Sequence, residues 1–105
     1  MVDVRSIIDV ESRMGKGQAR KVLSEVFNKS PNFISYTKHA QLEMKKDDLK
    51  TGDILNVIKA GKIFDDPEFE NGSYRYRVQT SKIVVIVAFR KPNHVVVVTA
   101  WRKSK

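Results

Sequence analysis

A histidine that opens a helix and two arginines that alternate along a strand are the residues of this chain best suited to chemistry. His39 lies in Tyr36-Thr37-Lys38-His39-Ala40, with Glu43 one turn further on. An imidazole takes or gives a proton at physiological pH, which cleavage of an RNA backbone requires. Attack by a ribose 2′-hydroxyl on the adjacent phosphate needs a base, a cation for the developing charge, and an acid for the leaving oxygen. Arg75 and Arg77 alternate with Tyr74, Tyr76 and Val78. A strand there projects both guanidinium groups from one face, where they can hold a phosphate bidentately. Thr99 is a lone hydroxyl in an apolar run, in phase with Val97 and Trp101; it is either satisfied by backbone or directed into a pocket. Each of these residues also has a plainer reading. His39 can be a structural histidine under the sheet edge, the arginines a solubilising sheet face, and Trp101 a cap on the core rather than a platform for a base. His94, after Pro92-Asn93, reads as the opening residue of a strand.

The charge distribution names a class of partner. From Asn71 onward the basic residues are Arg75, Arg77, Lys82, Arg90, Lys91, Arg102, Lys103 and Lys105, with no Asp or Glu. The first seventy residues hold twelve charges of each sign, so the formal +8 resides on the last third. A one-signed field of this kind is matched by a polyanion, RNA first, because each neutralised phosphate releases a counterion. The alternatives are a solubilising charge and an acidic protein partner.

At 105 residues, 41% of them apolar, the chain has the size of one domain with one core. The expected domain is 1–105, made of an N-terminal helical segment over 1–30 and an α+β core over 33–103. There is no cysteine, which removes disulfides, thiolate metal sites and thiol chemistry together and fits a reducing cytoplasm. No stretch approaches a membrane span or a signal-peptide run, so a cytoplasmic protein with no membrane partner is expected.

The elements that must position these residues follow from periodicity. Val4, Ile7, Ile8 and Met14 suggest an opening helix, interrupted by Gly15-Lys16-Gly17. Ala19, Val22, Leu23, Val26 and Phe27 form a second amphipathic helix, which Asn28 to Asn32 end through Pro31. A third helix begins near Thr37 as its cap, with Phe33, Tyr36, Ala40 and Met44 along one side, and breaks at Asp47-Asp48. Leu49 is an isolated apolar plug. A fourth helix takes Thr51 as cap and Asp53 in its first turn. It turns Ile54, Leu55, Val57 and Ile58 inward, and Gly61 is expected in the left-handed stop conformation. Tyr74–Gln79, Ile83–Phe89 and Val95–Trp101 then read as three antiparallel strands, with a short fourth around Lys62–Phe64. Ile83–Phe89 is continuously apolar, as in a strand covered on both faces. The class is α+β, with the helices on one face of a three- to four-stranded antiparallel sheet.

Motifs for other chemistry are missing: no phosphate-binding glycine loop, paired-histidine helix or serine elbow is present. Asp65-Asp66-Pro67-Glu68-Phe69-Glu70-Asn71-Gly72 lacks the alternation of a calcium loop. It reads as a solvated acidic connection between helix and sheet, so no metal and no cofactor is expected.

Tyr36-Thr37-Lys38-His39-Ala40 at the start of a helix resembles the (Y/F)TxHA signature of small bacterial toxin-like domains related to the RelE, BrnT and MqsR ribonuclease toxins. The likeness continues through a short helix at Thr51–Lys59, a "DP" connection at Phe64-Asp65-Asp66-Pro67, and a final strand carrying Val97-Val98-Thr99. It covers about residues 35–103. The resemblance implies a RelE-like fold, ribonuclease activity, and an acidic or DNA-binding antitoxin as partner. It matches His39 to the signature histidine, Arg75 or Arg77 to the sheet cation, and Thr99 to the strand hydroxyl. One departure stands out: Glu43 and Asp47 occupy places where the family pattern "HAxxRMxxR" is basic, with Lys45 and Lys46 nearby.

The expected function is therefore a metal-independent endoribonuclease of toxin–antitoxin type, acting on mRNA, free or ribosome-bound. His39, Arg75, Arg77 and Thr99 form the expected catalytic set. Lys45, Lys46, Arg90, Lys91, Trp101 and Arg102 are expected to bind RNA. The alternative is a non-catalytic module of the same fold that binds RNA or an acidic protein.

Overall fold

The structure, a computed structural model, describes residues 9–29, 33–90 and 93–103. Among these residues three helices, α1 (Lys16–Lys29), α2 (Lys38–Lys46) and α3 (Thr51–Ala60), accompany five strands. The strands are β1 (Ile34–Tyr36), β2 (Glu68–Glu70), β3 (Ser73–Gln79), β4 (Ile83–Arg90) and β5 (His94–Arg102). They form one sheet in the order β1-β5-β4-β3-β2. β1 runs parallel to β5, and every other pairing is antiparallel. The α+β class stands, while the antiparallel sheet expected from sequence is a mixed one with an added strand at each edge.

α1 forms where the apolar residues recur at helical spacing, and Ala19, Val22, Leu23 and Val26 are buried. It starts at Lys16, so Gly15-Lys16-Gly17 precedes and enters the helix. The opening helix proposed from Val4, Ile7 and Ile8 lies outside the described residues. Met14 is buried in a non-helical segment, where its backbone N–H donates to the Tyr76 hydroxyl at 2.9 Å. Burial raises the Tyr76 phenol above its ordinary pKa.

α3 turns Ile54, Val57 and Ile58 into the same core. Its N-cap is Lys50, not Thr51, and the Asp53 carboxylate accepts from the Lys50 backbone N–H at 2.8 Å. Gly61 ends the helix in an extended conformation, φ −73°, so the left-handed stop is not formed. Glycine is required there for space. A Cβ would stand 2.5 Å from the Val57 carbonyl oxygen and 3.0 Å from a Val78 methyl. Arg20 reaches across from α1 to the Gly61 and Ile58 carbonyls and fastens the two helices.

The helices and the sheet enclose one core containing Tyr76, Val78, Val85, Val87, Phe89, Val95, Val97 and Ala100. The residues between these face the other way. On β4, Val84 and Ala88 are buried without joining that core, and Ile86 is half-buried. The strand is apolar from Ile83 to Phe89, but among the described residues the helices pack on one side of it only. The expected fourth strand at Lys62–Phe64 reduces to a single bridge between Lys62 and Gln79.

Candidate functional site: a cleft on the open sheet face

A β-bulge decides which residues of β5 reach the open face. Thr99 pairs with Ile86, but Val97 pairs with Val87, so Val98 is an extra residue in the ladder. Inserting one residue reverses the side-chain alternation beyond it. Val95 and Val97 therefore face the core, and so does Ala100, while Thr99 and Trp101 turn to the opposite face. The expected phase of Val97 with Thr99 and Trp101 is thus corrected. Without the bulge, Thr99 and Trp101 would point among the helices.

The same bulge anchors α2. Thr37, its N-cap, accepts from the Ala40 backbone N–H at 2.9 Å and donates its hydroxyl proton to the Val98 carbonyl at 2.8 Å. The Thr37 backbone N–H donates to the Val97 carbonyl at 3.0 Å. One threonine thus satisfies a free donor of the helix start and a carbonyl of the bulge, and it docks the first helical turn, which carries His39, beside Val98 and Thr99. The far end of α2 is tied equally firmly. The Asp47 carboxylate accepts from the Arg102 backbone N–H at 2.9 Å. The Arg102 guanidinium donates to the carbonyls of Asp47 at 2.8 Å and Asp48 at 3.0 Å.

These constraints shape a cleft of about 500 Å³. His39 lines it from α2. Val98, Thr99 and Trp101 line it from β5, Ile86 from β4, and Arg75 and Arg77 from β3. Arg77, Ile86 and Thr99 stand in one row across three strands. The Arg77 guanidinium lies over the Trp101 ring, 5.6 Å from its centroid, close enough for a cation–π contact. Arg75 is half-buried, and its Nε is enclosed with no acceptor, an arrangement that buried donors rarely show.

The remaining wall is acidic and comes from a segment read from sequence as a mere connection. Asp65, Asp66, Glu68 and Glu70 all line the cleft. Asn71 and Gly72 both have positive φ, 49° and 82°. They form the two-residue hairpin loop that closes β2 onto β3, with Glu70 paired to Ser73 and Glu68 to Arg75. Alternation then sends Glu68 and Glu70 to the cleft, and Phe69 to the other face against Tyr74, ring centroids 4.8 Å apart. The Asn-Gly pair between alternating residues is the sequence signal that could have placed this strand. Between Lys62↔Gln79 and Glu68↔Arg75 the chain bows away from β3, carrying Asp65 and Asp66 past Arg77. Arg13 meets Asp66 at 3.7 Å.

The four residues expected to be catalytic, His39, Arg75, Arg77 and Thr99, thus share one cleft. Of the expected RNA-binding residues that are described, only Trp101 joins them. Lys45 and Lys46 are exposed at the end of α2, and Arg90 is exposed at the end of β4, all outside the cleft lining. Lys91 lies outside the described residues. Arg102, expected to bind RNA, lies outside the cleft lining and braces the end of α2, donating Nε and one terminal nitrogen to the carbonyls of Asp47 and Asp48 just beyond the helix. Asp47, which stands where the family pattern is basic, is the other half of that brace. His94 does not line the cleft, and its Nε2 is hydrogen-bonded to the Ser35 hydroxyl at 2.7 Å. Among the described residues no cluster of His, Asp or Glu is arranged to hold a metal, and no helix is long and apolar enough to cross a membrane.

Residues 36–102 match a family model described as a domain of unknown function, DUF4258. The chain belongs to the DUF4258 family. The family match begins at Tyr36 in β1 and ends at Arg102, so it contains every residue named in the cleft. α1 precedes it and yet buries its apolar face in the same core. No curated protein matches the chain, and no solved structure does.

Proposed function

We propose that this cleft cleaves single-stranded RNA, as a metal-independent endoribonuclease akin to the RelE, BrnT and MqsR toxins, with a RelE-like fold. One observation carries the reading: an imidazole and carboxylates line opposite sides of a cleft whose middle holds two guanidinium groups. Displacement at phosphorus runs in line, so the group that takes the proton of the 2′-hydroxyl and the group that protonates the leaving 5′-oxygen must stand on opposite sides. Carboxylates beside the arginines weaken a purely electrostatic hold on phosphate, whereas a proton-transfer site uses one as its base.

In this scheme Glu68, directly across from Arg75 in the β2–β3 ladder, accepts the 2′-hydroxyl proton. The 2′-oxygen then bonds to phosphorus. The bond to the 5′-oxygen breaks, and His39 supplies that oxygen with a proton. Arg75 and Arg77 hold the phosphate and balance its developing charge, and the Arg75 Nε finds its acceptor in a phosphate oxygen. Thr99, in the same row as Arg77, orients the phosphate. The products are a 2′,3′-cyclic phosphate and a free 5′-hydroxyl. Lys45, Lys46 and Arg90 stay outside the cleft as attractors of the flanking strand. By the same likeness, the natural partner is an antitoxin protein, and the substrate is mRNA, free or on the ribosome.

The test is cleavage of RNA in EDTA by the wild type, His39→Ala and Glu68→Gln, with the product ends analysed. Removal of either proton-transfer group should slow cleavage about 10²–10⁴-fold without loss of the folded state. Salt-sensitive RNA retention with no cleavage, alone or with ribosomes, would replace the enzyme with a binding module of the same fold.

A further inference from the structure

The cleft sets opposite charges side by side without joining them. Asp65, Glu68 and Glu70 line it together with Arg75 and Arg77. Among the described residues none of these five forms an ion pair, whereas Asp66, the fourth carboxylate of the lining, meets Arg13. A ligand for such a site must bring an anion to the guanidinium groups and hydrogen-bond donors to the carboxylates. A nucleotide does both when its base edge is rich in donors. Among the four bases, guanine alone presents two adjacent N–H donors, N1–H and the N2 amino group, on its pairing edge. These match the two oxygens of one carboxylate, and the edge is accessible in single-stranded RNA.

The register indicates which carboxylate meets a base. The Arg77 guanidinium lies over the Trp101 ring, which supplies an aromatic and cationic platform for a base plane. The chain beside Arg77 on the outer edge is the bowed segment between Lys62 and Glu68, with Asp65 at its centre. Asp66 is engaged by Arg13, and Glu68 lies one ladder step away, opposite Arg75. Asp65 is thus the carboxylate of the bowed segment that lines the cleft beside Arg77.

We propose that the cleft selects guanine at the nucleotide whose 3′-phosphate sits on Arg75 and Arg77, with Asp65 reading N1–H and N2–H and the Arg77–Trp101 pair supporting the ring. This substrate preference rests on the ribonuclease reading for the identity of the polymer, but its test does not require catalysis. Calorimetric titration of the full chain with the four nucleoside 3′-monophosphates should give 3′-GMP an advantage of about tenfold over 3′-UMP, the scale of one bidentate base contact. Asp65→Asn replaces one acceptor by a donor on an exposed loop. It should bring 3′-GMP to within about twofold of the others while leaving binding of 3′-UMP unchanged. Four nucleotides bound equally by the wild type would overturn the guanine preference and leave the phosphate site standing. So would an Asp65→Asn variant that binds all four more tightly by the same factor, since the acidic wall would then act only by repulsion. Failure of every nucleotide to bind, together with no cleavage of RNA, would remove the ribonuclease reading itself.

Discussion

Thr37 is the residue whose loss should cost most for the smallest chemical change. Its hydroxyl is used twice, as acceptor for the Ala40 N–H and as donor to the Val98 carbonyl. Thr37→Val keeps the shape and removes both bonds. Losing an N-cap side chain costs about 1 kcal/mol, and leaving a part-buried carbonyl without a partner costs about another 1 kcal/mol. The sum, about 2 kcal/mol, corresponds to a fall in melting temperature of about 8–16 °C for a domain of this size. Thr37→Ser retains the hydroxyl and should lose less than half as much. Urea denaturation of the three proteins, with equal slopes confirming a common folded state, measures this directly. The Val98 carbonyl belongs to the bulge that turns Thr99 and Trp101 outward, so RNA cleavage should fall in Thr37→Val even at temperatures where it is fully folded. A Thr37→Val protein within about 0.5 kcal/mol of the wild type would refute the double role of the hydroxyl, because 0.5 kcal/mol is the low end for a cap alone.

Three further substitutions separate support from function. Gly61→Ala should destabilise the domain by about 1–3 kcal/mol, because its Cβ meets backbone at Val57 and the Val78 side chain; a neutral or stabilising effect in denaturant titration would contradict the packing described. Arg102→Met keeps the aliphatic stem and removes the donors to Asp47 and Asp48. It should lower stability by about 1–2 kcal/mol, discounted for partial exposure. RNA retention on a filter should change by less than about twofold, whereas Arg75→Gln should lower retention with stability nearly intact. The reverse pattern would return Arg102 to the RNA-binding surface.

Much of the local structure was legible because it is set by neighbours along the chain. The helical spacing of Ala19, Val22, Leu23 and Val26, the cap at Thr37, the plug at Leu49 (4% exposed) and the alternation of Tyr74–Gln79 are short-range signals. The chain alone also determined that Arg75 and Arg77 share a face opposite Tyr76 and Val78, since a strand has period two. Their convergence with His39 was not legible, because it depends on which sheet face the helices cover and on where α2 docks. Three residues of β1 pair in parallel with a strand some sixty positions away, and no local pattern carries that information. The bulge at Val98 is invisible in a run of valines, which looks alike in either phase; its partner strand and the Thr37 hydroxyl select the phase in which Thr99 faces out. The acidic wall stands between these cases. Asn71-Gly72 announced a hairpin, and a hairpin with period-two alternation turns Glu68 and Glu70 toward the arginines. Local sequence thus determined which side chains could do chemistry, and the sheet register decided which of them meet, because register is a pairing between distant segments rather than a property of either one.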